Sequence, residues 1–115
     1  MLAVAGAFRA SRSLPFLMRE DFWVYIVTNK TQTVLYTGVT NDLQRRVWEH
    51  RNKTNPHSFS SMHSAHILVW YERFPTALEA IAAEAHIKGL TREKKLAMIR
   101  KMNPRWYDLS DGWYD

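Results

Sequence analysis

The 115-residue sequence predicts an α+β domain: a small three-stranded antiparallel sheet covered by helices, in the order β-β-α-β-α-α. Three observations lead there. Two short runs dense in β-branched and aromatic residues, FWVYIVT and VLYTG, flank the polar stretch NKTQT, which is the pattern of a hairpin. A third such run, HILVWYERF, follows a polar stretch containing Pro56. Segments with helical spacing, each opened by a capping Thr or Asp, fill the interval between hairpin and third strand and the C-terminal third of the chain.

Residues 22–28 are apolar on both alternating faces, as a central strand covered on two sides requires. Residues 29–33 are turn material and 34–38 form the second strand. Thr40-Asn41-Asp42 offers N-caps for a helix over 43–53, and residues 54–64 read as a polar loop. The third strand spans 66–74. Thr76 caps a helix ending at Lys88 before Gly89, and Thr91 caps another that ends at Met102, before Asn103-Pro104. Residues 1–19, rich in Ala, Ser and Arg and without an acid until Glu20, read either as a transit-type segment or as a stretch upstream of Met18, and lie outside the fold in both cases. The expected layout is therefore an extension over 1–19, a domain over 20–110 and a short acidic tail over 111–115.

Composition narrows the function classes. No apolar run is long enough to cross a bilayer. The absence of cysteine excludes a disulfide framework, a thiolate zinc site and a cysteine nucleophile, and fits a reducing, cytoplasmic setting. The net charge of +5 points to an anionic partner. Residues 41–105 hold 12 Lys or Arg against 6 acids, so the basic excess lies in the body of the domain. The five histidines form no HxxxH or HExxH pattern, and no GxSxG or Walker-type loop is present.

Two helices carry anomalies. At 100° per residue, Leu43, Arg46, Val47 and His50 share one arc, with Arg45 and Glu49 opposite. Arg46 and His50 then border an apolar stripe, either as a snorkelling arginine and a satisfied boundary histidine or as functional groups. In the helix after Thr76, Ala77, Ala80, Ile81, Ala85 and Ile87 surround Glu84. A carboxylate in that setting needs a partner, which a structural ion pair with arginine or a bound metal could supply. Tyr25 and Tyr36 face each other across the expected hairpin, where bonded core tyrosines are the plainer reading.

Taken together, Val24-Tyr25-Ile26, Tyr36-Thr37-Gly38 and the run 39–50 (VTNDLQRRVWEH) resemble the GIY-YIG nuclease superfamily. The likeness is strongest to its small standalone bacterial members, and extends through LVWYE at 68–72, AIAAE at 80–84 and NPRWYDL at 103–109. It covers residues 22–110. The resemblance implies an endonuclease hydrolysing phosphodiester bonds, in DNA more than RNA, with little sequence specificity, one divalent metal (Mg²⁺ or Mn²⁺), and a setting such as DNA repair. It implies catalytic roles for Tyr25, Tyr36, Arg46, His50 and Glu84, with Glu84 as metal ligand, and supporting roles for Gly38 and Asn103. On chemical grounds Glu84 alone suffices for Mg²⁺, which leaves its other positions to water and phosphate. Arg46 offers a fixed fork to phosphate oxygens. Tyr25 can deprotonate the attacking water if nearby cations lower its pKa, with Tyr36 and His50 orienting the water and relaying the proton; the sequence leaves open which of the three is the base. Arg45, Arg51, Lys53, Lys88, Arg92, Lys94 and Lys95 are the expected nucleic-acid contacts.

The sequence departs from the family pattern at Val24, at Thr37 and, more heavily, at 59–63, where Phe-Ser-Ser-Met-His stands in place of a Phe-Thr-x-Lys-Tyr run. The last change removes a cation and an aromatic beside the expected groove. It leaves two other functions open: a catalytically weak nucleic-acid-binding module on the same fold, or a protein-interaction domain using Trp106 and Trp113.

Overall fold

The computed structural model describes residues 21–114. Three strands, β1 (Phe22–Thr28), β2 (Leu35–Thr40) and β3 (Ile67–Phe74), form one antiparallel sheet in the order β2-β1-β3. Helices α1 (Leu43–Asn52) and α2 (Phe59–Met62) lie between β2 and β3, and α3 (Ala77–Lys88) and α4 (Arg92–Met102) follow β3.

The central position of β1 explains its composition. Trp23, Tyr25 and Val27 face one layer, with Leu43, Val47, Ala65, Leu68 and Tyr71. Val24 and Ile26 face the other, with Val69, Trp70, Ala80, Ile87 and Ile99. Both faces of the sheet are thus dry, and a strand with polar residues on one side would not fit there. Val24, at the first departure from the family pattern, is fully buried in this second layer, whereas Thr37 buries a hydroxyl oxygen that has no hydrogen-bond partner.

The hairpin turn is organised by Asn29, whose Oδ1 accepts from the backbone N–H groups of Thr33 (2.9 Å) and Val34 (3.0 Å). Strand β2 runs two residues further than its composition suggests, because Val39 and Thr40 pair with Val24 and Trp23. A bulge in the β1–β3 ladder between Ile26 and Val27 turns the consecutive residues Val69 and Trp70 to the same layer. At the bulge, Asn103 Nδ2 donates to the Val69 carbonyl (3.2 Å).

Asp42, Ser58, Thr76 and Thr91 cap the four helices through side-chain oxygens. The segment 54–64 is not a loop throughout: α2 is one turn, nucleated by Ser58, whose hydroxyl accepts from Ser61 N–H (3.2 Å). One turn is too short to produce a periodic pattern, so composition alone reads it as loop. Gly89 ends α3 in a right-handed conformation (φ −83°), so its left-handed freedom is not what stops the helix.

The acidic tail is a correction. Residues 111–114 belong to the domain: Trp113 packs edge-on against Tyr71 (6.3 Å between centroids), and Tyr114 donates its hydroxyl to the Gln44 carbonyl (2.6 Å). Asp108 anchors this segment by accepting from Leu68 N–H and from Ser110. Trp106 and Trp113, expected to be exposed, pack against the two core layers. The extension over 1–19 and Asp115 lie outside the described residues. Among the described residues, no helix is long and apolar enough to cross a membrane.

Candidate active site

Four of the five expected catalytic residues converge where β1, β2 and α1 meet. Tyr25 lies opposite Gly38 in the β1–β2 register, and its ring crosses over that glycine. A Cβ on Gly38 would land on the phenol, 2.5 Å from Cζ. Glycine is required here because the neighbouring strand must leave room for the ring.

The Tyr25 hydroxyl is the hub. Arg46 Nε–H donates to it at 3.4 Å, and it is hydrogen-bonded to His50 Nε2 at 2.8 Å. The other ring nitrogen, His50 Nδ1, is hydrogen-bonded to Ser60 Oγ at 2.7 Å. Tyr36 stands beside this chain, its ring 5.4 Å from His50 and 6.4 Å from Tyr25. Helical spacing explains the arrangement: Arg46 and His50 are one turn apart on the edge of the stripe whose Leu43 and Val47 enter the core.

Burial sets the electrostatics. Tyr25 is fully enclosed, and loss of solvent pushes its pKa up, the guanidinium of Arg46 opposing only in part. The expectation that cations would lower Tyr25 towards working pH is therefore reversed: desolvation outweighs one arginine. His50 is also buried. Desolvation, reinforced by Arg46, lowers its pKa to about 4, so the ring is neutral at pH 7. Arg46 has its side chain 43% exposed and turns one guanidinium nitrogen, Nη1, to Glu49 at 3.1 Å. Glu49, on the arc away from the core, is thus a partner of this arginine, with Arg45 Nε also at 3.8 Å.

Glu84 comes from α3, which packs on β1 and β2. Its charge is close enough to Tyr25 to contribute to the upward shift of the phenol. The carboxylate is largely buried and pairs with Lys88, one turn on, at 3.1 Å. The structural alternative, a pair with arginine, is not formed among the described residues. The helix is phased differently from the expected arc: Ala77, Ala80, Ala83 and Ile87 turn inward with Glu84, while Ile81 and Ala85 face solvent.

The expected nucleic-acid contacts divide. Arg45 is well exposed on α1, and among the described residues the side chains of Lys94 and Lys95 on α4 have no hydrogen-bond or ion-pair partner. Lys53 reaches the Ser64 hydroxyl (3.2 Å). Arg51 has partners within the domain. It pairs with Asp108 (3.1 Å), donates to Ser110 (2.9 Å) and lies over the Tyr114 ring, so it braces the C-terminal segment. Arg92 similarly donates to the Gln32 carbonyl (2.9 Å), tying α4 to the hairpin turn, and Lys88 is held by Glu84. Asn103 is not in the tyrosine cluster. Its amide bonds the backbone of Val69 and Tyr107, which is a structural role.

Phe59 matches the family run and Ser60 stands for its Thr, and the sequence alone singled out neither as a site residue. Phe59 is half exposed and stacks on Tyr36 at 6.2 Å and 23° between planes, with His63 4.4 Å from its other edge. The altered run therefore forms one wall of the site.

Comparison with known proteins agrees with this geometry. Residues 21–97 match the GIY-YIG catalytic domain. A UPF0213 protein of Staphylococcus saprophyticus is 35% identical over 80 residues, covering 70% of this chain and 95% of that protein. One from Haloquadratum walsbyi is 40% identical over 78 residues, covering 68% and 85% respectively. The solution structure of a UPF0213 protein from Bacillus halodurans superposes with a TM-score of 0.50 at 26% identity, covering 80% of this chain and 97% of that one. With a matching domain across two thirds of its length and relatives of the same family at 35–40% identity, the chain belongs to the GIY-YIG family of nuclease domains.

Proposed function

We propose that this protein is a metal-dependent endonuclease that hydrolyses phosphodiester bonds in DNA with little sequence preference. The observation that carries the reading is Arg46: a guanidinium tethered through Nε to a buried phenol, yet still partly exposed, directly beside Tyr36 and His50. Nη2, with Nη1 already shared with Glu49, can meet a non-bridging oxygen of a phosphate, where charge accumulates in the transition state. Fixing the fork in advance removes reorganisation at the moment of reaction, and lysine would not reproduce its geometry.

Tyr36 is only partly buried, and we assign its hydroxyl to hold the attacking water. Tyr25 is enclosed and protonated, so its work is to hold Arg46 and His50 in place. Glu84, a largely buried carboxylate with one oxygen on an exposed lysine, fits a magnesium or manganese ion, which commonly takes only one or two protein carboxylates. When bound there, such an ion neutralises charge on the phosphate and its leaving oxygen. Arg45, Lys53, Lys94 and Lys95 supply backbone contacts, which carry no sequence information, and the face of Phe59 offers a surface for an unstacked base.

A catalytically weak nucleic-acid-binding module is the second reading, favoured by the internal engagement of Arg51, Lys88 and Arg92. One experiment separates the two. Purified protein is incubated with supercoiled, branched and single-stranded DNA, and with RNA, in Mg²⁺, Mn²⁺ or EDTA, beside Arg46→Ala. Metal-dependent nicking lost in Arg46→Ala supports the endonuclease; binding without cleavage on every substrate refutes it.

A further inference from the structure

The hydrogen bonds around Tyr25 have a direction, and Arg46 sets it. A guanidinium Nε–H can only donate, so at this contact the phenol oxygen accepts. Tyr25 is fully enclosed, and its own hydrogen needs an acceptor. The other partner within reach is His50 Nε2, at 2.8 Å. That nitrogen must then present its lone pair, and the hydrogen of the neutral ring sits on Nδ1. Nδ1–H points at Ser60 Oγ, 2.7 Å away and 2% exposed. Ser60 lies 3.3 Å from Ser58 Oγ, the N-cap of α2. The chain thus runs Arg46, Tyr25, His50, Ser60, and ends on a helix cap. In the reverse arrangement Nε2–H would donate to the phenol, and the phenol hydrogen would be left without an acceptor in a closed space.

We propose that Ser60 is a positioning residue: by accepting from His50 Nδ1–H it stabilises the tautomer that Arg46 and Tyr25 select, and through Tyr25 it holds the Arg46 fork at its working angle. Its effect on turnover rests on the nuclease reading above; its effect on the tautomer does not. The single turn of α2 is what delivers this hydroxyl. The run 59–63 thereby supplies the anchor of the site, although it is the part of the chain that departs most from the family pattern.

Without the hydroxyl, a hydrogen on Nδ1 has no acceptor, so the Nδ1–H form loses its advantage and the Nε2–H form becomes populated beside it. The phenol oxygen then receives two donors, and its own hydrogen competes with Arg46 for space. Arg46 is released although nothing beside it has changed. The comparable loss of an outer partner that orients a catalytic group costs about ten- to a hundredfold in activity.

The test uses ¹⁵N-labelled full-length protein at pH 7. Long-range ¹H–¹⁵N correlations of the imidazole report the tautomer of His50, and proton exchange reports the protection of Arg46 Nε–H. Wild type should show the Nδ1–H form with a protected Arg46 Nε–H. Ser60→Ala should move His50 towards the Nε2–H form, speed Arg46 Nε–H exchange and lower kcat about tenfold with KM little changed. Ser60→Thr should restore all three. A wild-type Nε2–H tautomer overturns the proposal whatever the enzyme does. So does a Ser60→Ala protein, folded by its circular dichroism and melting curve, in which neither tautomer nor Arg46 exchange changes. If Ser60→Ala does not fold, the wild-type tautomer and the Ser60→Thr spectrum decide. If the wild type shows the Nδ1–H form, Ser60→Ala shifts it, and wild type cuts no substrate, the positioning holds and the nuclease reading fails alone.

Discussion

Replacing Arg46 by alanine removes the one guanidinium among the described residues that is tethered to the tyrosine cluster, whereas replacing Arg45 removes its neighbour on the solvent side. Arg46 Nε donates to Tyr25 at 3.4 Å, and its side chain is 43% exposed; the Arg45 side chain is 64% exposed, and its ion-pair contact is to Glu49 at 3.8 Å. The two residues are adjacent in sequence and identical in charge, so long-range attraction of nucleic acid weakens about equally in both variants. They differ in reach. Arg46→Ala should lower turnover by on the order of 10²–10³, the scale for one lost charge-stabilising donor, and added salt should not restore it. Arg45→Ala should act on binding, flattening the slope of log K against log[salt] by about 0.9 for one lost duplex phosphate contact. Neither variant should unfold, because Tyr25 keeps His50 as a partner and an exposed pair with Glu49 stabilises by less than about 1 kcal/mol. The assay is cleavage of one DNA substrate by both variants at two salt concentrations, with binding measured in parallel. Equal losses of turnover, or a larger loss at Arg45, would refute the placement of the site.

Glu84→Gln should abolish cleavage with little change in Tm, since the lost pair is to a lysine whose side chain is 53% exposed; millimolar Mg²⁺ or Mn²⁺ should raise the Tm of wild type but not of this variant, and equal shifts would remove Glu84 as ligand. His50 makes the fold acid-sensitive. Its folded pKa of about 4 lies below the unfolded 6.5, so between those values the unfolded chain binds a proton that the native chain refuses. This stability is fully present above pH 6.5 and is lost as pH falls to 4, by about 3 kcal/mol in total; urea titrations should show that His50→Gln lacks this component. Gly38→Ala puts a methyl group into the Tyr25 phenol and should cost about 1–3 kcal/mol while greatly slowing cleavage; a wild-type melt with wild-type activity would show that the ring has room to move.

The architecture was legible because the strongest signals were local. A run such as FWVYIVT has no polar face, so it fits only a strand covered on both sides, and β1 is that strand. The pairing of Arg46 with His50 follows from one turn of helix and needs no tertiary information. What the sequence did not show depends on distance in the fold. Nothing local marks Arg51 as a brace for Asp108, 57 residues away, or Arg92 as a tie to Gln32, 60 residues back. A basic residue looks alike in sequence whether it faces phosphate or a carboxylate contributed by another element. The sign of the Tyr25 shift was hidden for a similar reason, since one arginine is visible along the chain but the completeness of burial is not.

The same consideration gives the altered run at 59–63 a different meaning. Judged by side-chain chemistry, losing a lysine and a tyrosine weakens a binding groove. Judged by contacts, the run places a hydroxyl on His50 Nδ1 and an aromatic ring on Tyr36. Both contacts reach residues that are themselves buried or partly buried, where a hydrogen bond or a stacked ring is worth more than a screened surface charge. A substitution that lowers electrostatic attraction to the substrate can therefore leave the geometry of the reacting groups intact. Affinity and turnover are separable here, and binding should be the weaker of the two relative to a relative that keeps the cation.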